Sequence, residues 1–218
     1  MKKLLSVAAI SVAAATSPLM ADEGMWQPSQ LPLIEDQLED AGLNIDPEDL
    51  SKLTEFPMGA VISLGGCTAS FLSPQGLVAT NHHCAYGSIQ FNSTAENNLL
   101  EKGFLAKELS EELAAAPGSR VYVTTEVTDV TDAINDGLTD EMSGMERYKA
   151  VEKKEKALVA DCEAEDGYRC NVYTFHGGLE YRLIKQMEIR DVRLVYAPSS
   201  HIGKYGGDVD NWMWPRHT

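Results

Sequence analysis

The sequence predicts a mainly β fold with added helices, and three observations carry that reading. From Gly59 onward, short β-type runs are punctuated by glycine: Ala60 to Leu64, Cys67 to Leu72 and Leu77 to Asn81. A later series, Asn171 to Phe175, Leu179 to Ile189 and Val192 to Tyr196, has a Gly177-Gly178 turn between its first two members. Between the two series, Val121-Tyr122-Val123-Thr124-Thr125 is β-branched and aromatic, the chemistry that fits a half-buried pleated surface.

Within the late series, Tyr181, Leu183, Met187 and Ile189 share one alternating face, as a strand with one buried side requires. The helices are fewer. Leu31, Ile34 and Leu38 have helical spacing, and Asp46-Pro47-Glu48-Asp49 offers a cap, a proline at the first helical position and an acidic first turn, so two short helices are expected before the β region. Asn97 to Ala116 is rich in Leu, Ala, Glu and Lys, places Leu100, Phe104, Leu105, Leu109 and Leu113 on one face, and stops at Pro117-Gly118; it predicts one amphipathic helix. A charged helix from about Met145 to Val159 follows, with Glu152 and Lys156 spaced to support each other.

The first residues carry an export signal. Lys2 and Lys3 precede an apolar run from Leu4 to Ala15, a break at Ser17-Pro18 and the small-residue site Leu19-Met20-Ala21, so residues 1–21 read as a signal peptide. The run is well short of the roughly 20 apolar residues that span a bilayer, and no later segment is longer, so no membrane span is expected after cleavage. The expected location is across the inner membrane, in the periplasm or at the cell surface. Eighteen basic residues against 33 acidic give a net charge of −15, which repels phosphate backbones and excludes nucleic acid as a partner. Residues 22–218 show no repeat and no low-complexity linker, and so read as one unit.

Cys67, Cys84, Cys162 and Cys170 all follow the signal, and an even number in an exported chain favours disulfides. Ser73-Pro74-Gln75-Gly76 has turn chemistry, with proline second and glycine fourth. In the antiparallel register this turn sets, Cys67 and Cys84 fall nearly opposite each other. Cys162 and Cys170 remain as the second pair, around a short loop that carries Gly167. Neither pair has C-x-x-C spacing, which argues against zinc.

The segment from Gly65 to Cys84 carries the chemistry. A histidine directly before a cysteine, at the end of a hairpin whose other strand starts with a cysteine, is the arrangement chymotrypsin-like peptidases use. A general base must be held at one angle to its nucleophile, and a disulfide at the next residue pins the backbone that carries the imidazole. His83 is the candidate base. His82 and His83 would point to opposite faces of an extended chain, which disfavours chelation of one ion. At the other end, Gly203-Lys204-Tyr205-Gly206-Gly207-Asp208-Val209-Asp210-Asn211-Trp212-Met213-Trp214-Pro215-Arg216-His217-Thr218 makes neither a good strand nor a good helix, and reads as a shaped loop. Asp208 and Asp210 lack the remaining ligands of a calcium loop.

Together the Gly-Gly-Cys-Thr-Ala-Ser-Phe to His-His-Cys segment, the Gly-Gly-Asp-Val-Asp-Asn-Trp-Met-Trp-Pro-Arg-His-Thr segment and Gly24-Met25-Trp26 resemble the bacterial dipeptidyl-peptidase 7 and 11 family of chymotrypsin-fold serine exopeptidases, from about Gly24 to Thr218. The resemblance implies part of a double β-barrel, a large helical domain inserted later, a homodimer, and release of dipeptides from peptides with a free N-terminus; no cofactor and no metal are expected. It assigns His83 as the catalytic histidine and Asn211 and Trp212 as residues that hold the substrate's N-terminal end. It puts the catalytic aspartate two residues beyond Thr218 and the serine later still, so the chain carries one triad member of three. A non-catalytic, exported peptide-binding domain with a peptidase-like barrel is the alternative reading.

Overall fold

The computed structural model describes residues 26–203. A 3-10 helix, Pro28–Ile34, runs into α1 (Glu35–Asp40), and α2 (Pro47–Ser51) follows. The Asp46 carboxylate accepts from the Glu48 N–H at 2.9 Å, with Pro47 at the first helical position, as the sequence predicts. Next come β1 (Val61–Ser63), β2 (Thr68–Phe71), β3 (Val78–Ala79) and α3 (His82–Phe91). Then follow α4 (Leu99–Lys102), β4 (Phe104–Leu105), β5 (Leu113–Ala114), β6 (Val121–Asp129), α5 (Thr131–Asn135) and α6 (Gly144–Cys162). β7 (Tyr168–Phe175), β8 (Glu180–Ile189), β9 (Arg193–Leu194), β10 (Tyr196–Ala197) and α7 (Ser200–Gly203) complete the order.

Six strands form one antiparallel sheet in the order β3-β2-β1-β6-β8-β7. The Ser73–Gly76 turn closes the hairpin with Gly76 N–H to Ser73 C=O at 3.2 Å, and Gly76 takes φ +87°, which a residue with a Cβ rarely adopts. The register is the one expected from that turn: Ser70 opposes Ala79 and Phe71 opposes Val78. The β6–β8 ladder breaks at Thr125, where a bulge shifts the register between the Thr124–Gln186 and Glu126–Lys185 pairs.

Among the described residues, three apolar clusters form the core. One joins Ile62, Ala69 and Val121 with Leu64, Phe71, Val78, Val123, Ile189 and Val192 across the hairpin end of the sheet. A second joins Val130, Ile134 and Tyr181 with Val151, Leu158, Val172 and Leu183 under α5 and α6. The third joins Ile89, Leu99, Leu194 and Ala197 with Ala85, Leu100, Phe104 and Leu113 around α3. The alternating face expected on β8 therefore serves two clusters: Ile189 the first, Tyr181 and Leu183 the second, while Met187 stays exposed.

The expectation of one helix over residues 97–116 is wrong. Its first turn is α4, with Asn98 as cap, and the helix ends at Gly103, where φ is +76°. A Cβ there would lie 2.9 Å from the Ala197 carbonyl oxygen, so a glycine is needed where the distant 197–199 backbone packs against the end of α4. Phe104 and Leu105 pair with Ala197 and Tyr196, while Leu113 and Ala114 pair with Leu194 and Arg193. Two small ladders with a distant segment thus outweigh the local helical preference of Leu, Ala, Glu and Lys. The same pairing splits the expected 192–196 strand into β9 and β10, which face different partners.

Helix α6 begins with a capping box, Ser143 and Glu146, and keeps the expected Glu152–Lys156 pair at 2.8 Å. From its inner side Lys154 donates to the carbonyls of Ala133 at 3.1 Å, Ile134 at 3.3 Å and Asp136, and so caps the C-terminus of α5. Replacing Lys154 by Met should lower the unfolding free energy by about 1–2 kcal/mol, the cost of leaving those carbonyls with fewer donors; an unchanged urea midpoint would show that water caps them equally well. Glu155 lies on the same helix. Burial, and then the charge of Glu152, raises its carboxyl above the ordinary value of 4.5. A raised folded-state pKa gives stability that is full below the unfolded value and lost as pH rises. Glu155→Gln should therefore raise the melting temperature at pH 7, with the gain shrinking toward zero below about pH 4; a gain independent of pH would refute the electrostatic cause.

Candidate functional site

His83 owes its position to two constraints that meet at Cys84. The first is covalent: Cys67 and Cys84 form a disulfide with Cα atoms 6.1 Å apart, within the usual range. It ties the bend that leads into β2 to the first turn of α3. The second is helical. Asn81 has extended φ and ψ of −72° and 149°, and its carbonyl accepts from the Cys84 N–H at 3.0 Å, so the chain turns from strand to helix at this residue. Thr80 adds a side-chain bond back to the Thr68 carbonyl at 2.9 Å, which holds the two hairpin arms together just before the turn.

The structure corrects one detail of the sequence reading. His82 and His83 do not end an extended strand; they open α3, so their side chains diverge by the turn of a helix rather than to opposite faces of a sheet. His82 is half-buried, with its ring edge-on to Tyr86 at a centroid distance of 6.2 Å. His83 is exposed. One of its ring nitrogens and the sulfurs of Cys67 and Cys84 all lie within 4.8 Å of one another. The imidazole is thus carried beside the disulfide, on the open side of the junction between hairpin and helix.

Helix α3 is fixed from behind by neutral groups. The Ser88 hydroxyl accepts from the Ala116 N–H at 3.0 Å, and the Asn92 amide donates to the carbonyls of Ser88 and Ala114, both at 2.9 Å. The Ser93 hydroxyl donates to the Ile89 carbonyl at 2.8 Å and accepts from Leu99 N–H at 3.0 Å. From Phe56 to Ala95 the sequence holds no Asp, Glu, Lys or Arg, although 23% of the whole chain is charged. That gap, overlooked in the motif reading, marks hairpin and α3 as one uncharged unit. The stretch that carries His83 thus supplies no carboxylate of its own.

The second disulfide, Cys162–Cys170, also forms as expected and fastens the last residue of α6 to β7. A cleft of about 460 Å³ lies beside it, lined by Glu126, Asp161, Glu165 and Lys185 among others, and shares no residue with the His83 segment. Lys185 is held there by Glu165 at 2.6 Å and by the Tyr168 ring at 4.2 Å. Asn211 and Trp212, with Asp208 and Asp210, lie outside the described residues, as do residues 1–21. No helix among the described residues is long and apolar enough to cross a membrane.

Known proteins resemble this chain in sequence and in fold. The chain is 54% identical over 198 residues to an Asp/Glu-specific dipeptidyl-peptidase of Shewanella putrefaciens, covering 91% of this chain and 27% of that protein. It is 38% identical over 224 residues to dipeptidyl-peptidase 7 of Porphyromonas gingivalis, covering 100% of this chain and 31% of the relative. The crystal structure of Porphyromonas endodontalis DPP11 in complex with the dipeptide Arg-Asp superposes with a TM-score of 0.77 at 37% identity, over 91% of this chain and 29% of that one. The chain therefore spans less than a third of the length of these relatives. The Peptidase S46 profile matches residues 21–218, and the chain belongs to that family.

Proposed function

We propose that this chain is the N-terminal part of a serine-type dipeptidyl-peptidase that releases dipeptides from peptides with a free N-terminus. The observation that carries the proposal is the placement of His83: exposed, in the first turn of α3, and next to a disulfide that ties helix to hairpin. A base so held can take the proton of a serine hydroxyl as it attacks the scissile carbonyl, and return it to the leaving amine; the acyl-enzyme that forms carries the dipeptide until water releases it. The serine, the aspartate and the oxyanion donors belong to the part of the relatives' length that this chain does not span.

Asn211 and Trp212 are assigned to the substrate's ammonium. An ammonium offers three donors and no acceptor, so the Asn211 carbonyl oxygen accepts one while the Trp212 ring packs beside the chain end. Acidic groups from elsewhere take the rest. The relative at 54% identity is Asp/Glu-specific, and on that likeness alone an acidic residue is expected before the scissile bond. A signal peptide over residues 1–21, a periplasmic or cell-surface location and a homodimer complete the proposal.

In the full-length protein, His83→Ala should lower kcat by at least about 10⁴-fold while the Cys67–Cys84 disulfide still forms. Activity that survives the change would remove His83 from catalysis. Asn211→Ala should cost about 1–3 kcal/mol in kcat/KM on free dipeptidyl substrates, the penalty of an ammonium donor left unpaired. Equal cleavage of N-acetylated and free peptides would show that no such amine site exists, and faster cleavage after apolar than after acidic residues would reverse the proposed specificity.

A further inference from the structure

We propose that Cys67, His83 and Cys84 become a soft-metal site when the disulfide between the two cysteines is reduced. Among the described residues, these three form the one cluster in which three such ligand atoms lie within 4.8 Å of one another. In the oxidised chain the two sulfurs are bonded to each other and offer no thiolate. A dithiol or phosphine supplies two electrons, and with two protons the S–S bond becomes two thiols. Zn²⁺ or Cd²⁺ then displaces both thiol protons and accepts a lone pair from the neutral imidazole, giving a centre of two sulfurs and one nitrogen with a fourth position left for water. Soft thiolates are what select such ions.

The distances suit this conversion. With metal–sulfur bonds of about 2.3 Å and a metal–nitrogen bond of about 2.0 Å, the ligand atoms of a tetrahedral site stand about 3.5–3.8 Å apart. A ring nitrogen of His83 already stands within 4.8 Å of both sulfurs, and the sulfurs, 2.04 Å apart while bonded, have to separate to the tetrahedral spacing once reduced. Contacts other than the disulfide keep the residues together once it opens. β2 stays paired with β1 and β3, Thr80 stays bonded to the Thr68 carbonyl, and the Cys84 N–H stays bonded to the Asn81 carbonyl. His83 is exposed and both cysteines are half-buried, so reductant and metal can reach them. In the complete enzyme a bound ion would occupy the imidazole proposed as the base, although the site itself does not depend on that role.

The experiment titrates Cd²⁺ into this chain carrying Cys162→Ser and Cys170→Ser, so that only the first pair of cysteines can respond. Oxidised protein and phosphine-reduced protein, freed of reductant under argon, are compared by the thiolate-to-cadmium charge-transfer absorption. The expected result is one Cd²⁺ per reduced chain and no such absorption in the oxidised one. His83→Ala should weaken the reduced form at least about tenfold, and His82→Ala should leave it unchanged. A reduced chain that binds no cadmium overturns the proposal, as does binding untouched by His83→Ala. Equal losses from His82→Ala and His83→Ala overturn it too, because they would mean chelation by an unfolded segment rather than by the folded junction.

Discussion

The bond on which the rest of the arrangement turns is Cys67–Cys84. It ties the hairpin, which packs in the cluster around Ile62, Ala69 and Val121, to α3, which packs in the cluster around Ile89, Leu99 and Leu194. Closing a loop of that length stabilises a folded chain by about 3 kcal/mol through the unfolded state. Its geometric effect matters more here. A helix and a hairpin joined by two residues could pivot against each other, and the covalent tie beside His83 removes that freedom.

The charge distribution follows the same logic. The chain carries a net −15, yet the stretch that builds hairpin and α3 contains no ionic side chain, and α3 is anchored through serine hydroxyls, an asparagine amide and backbone carbonyls. Neutral anchors leave the field at an imidazole to be set by whatever carboxylate is brought to it, rather than by fixed neighbours. The acidic and basic residues are spent elsewhere. Arg120 and Arg190 both donate to Glu188 and hold its carboxyl below the usual range, and Arg169 lies over the Tyr122 ring at 4.6 Å. These contacts stiffen the β6-β8-β7 half of the sheet.

That half is organised by the long β6–β8 ladder and its bulge at Thr125. Before the bulge the ladder packs on the hairpin cluster; after it, on α5 and α6. One extra residue lets β6 change the cluster it serves without breaking the sheet, and the Thr125 hydroxyl bonds the Lys185 carbonyl across the irregularity at 3.2 Å. The Cys162–Cys170 bond then fixes the end of α6 to the outer strand, so that the two-cluster sheet becomes a stiff base for the hairpin that leads into α3 and His83.

Much of this was legible in the sequence, because the signals were local. The Ser73–Gly76 turn dictated the hairpin register and with it the first disulfide, since a turn with fixed residues leaves one way to pair its arms. The Asp46 cap, the Gly177-Gly178 turn, the Glu152–Lys156 pair and the strands 171–175 and 179–189 were read correctly for the same reason. His83 was singled out because histidine, cysteine and hairpin stood within a few residues of each other. The fate of residues 97–116 was not legible. Their composition favours a helix, and only the approach of the 193–197 segment, about 90 residues away, replaced helical hydrogen bonds with two short ladders. The strand-to-helix change at Asn81, which turns His83 from the end of a sheet into the first turn of α3, was hidden likewise. The sequence by itself determined which residues turn, pair and cross-link; the tertiary structure decided where non-local backbone pairing outweighs intrinsic propensity, because the competing hydrogen bonds exist only once distant segments meet.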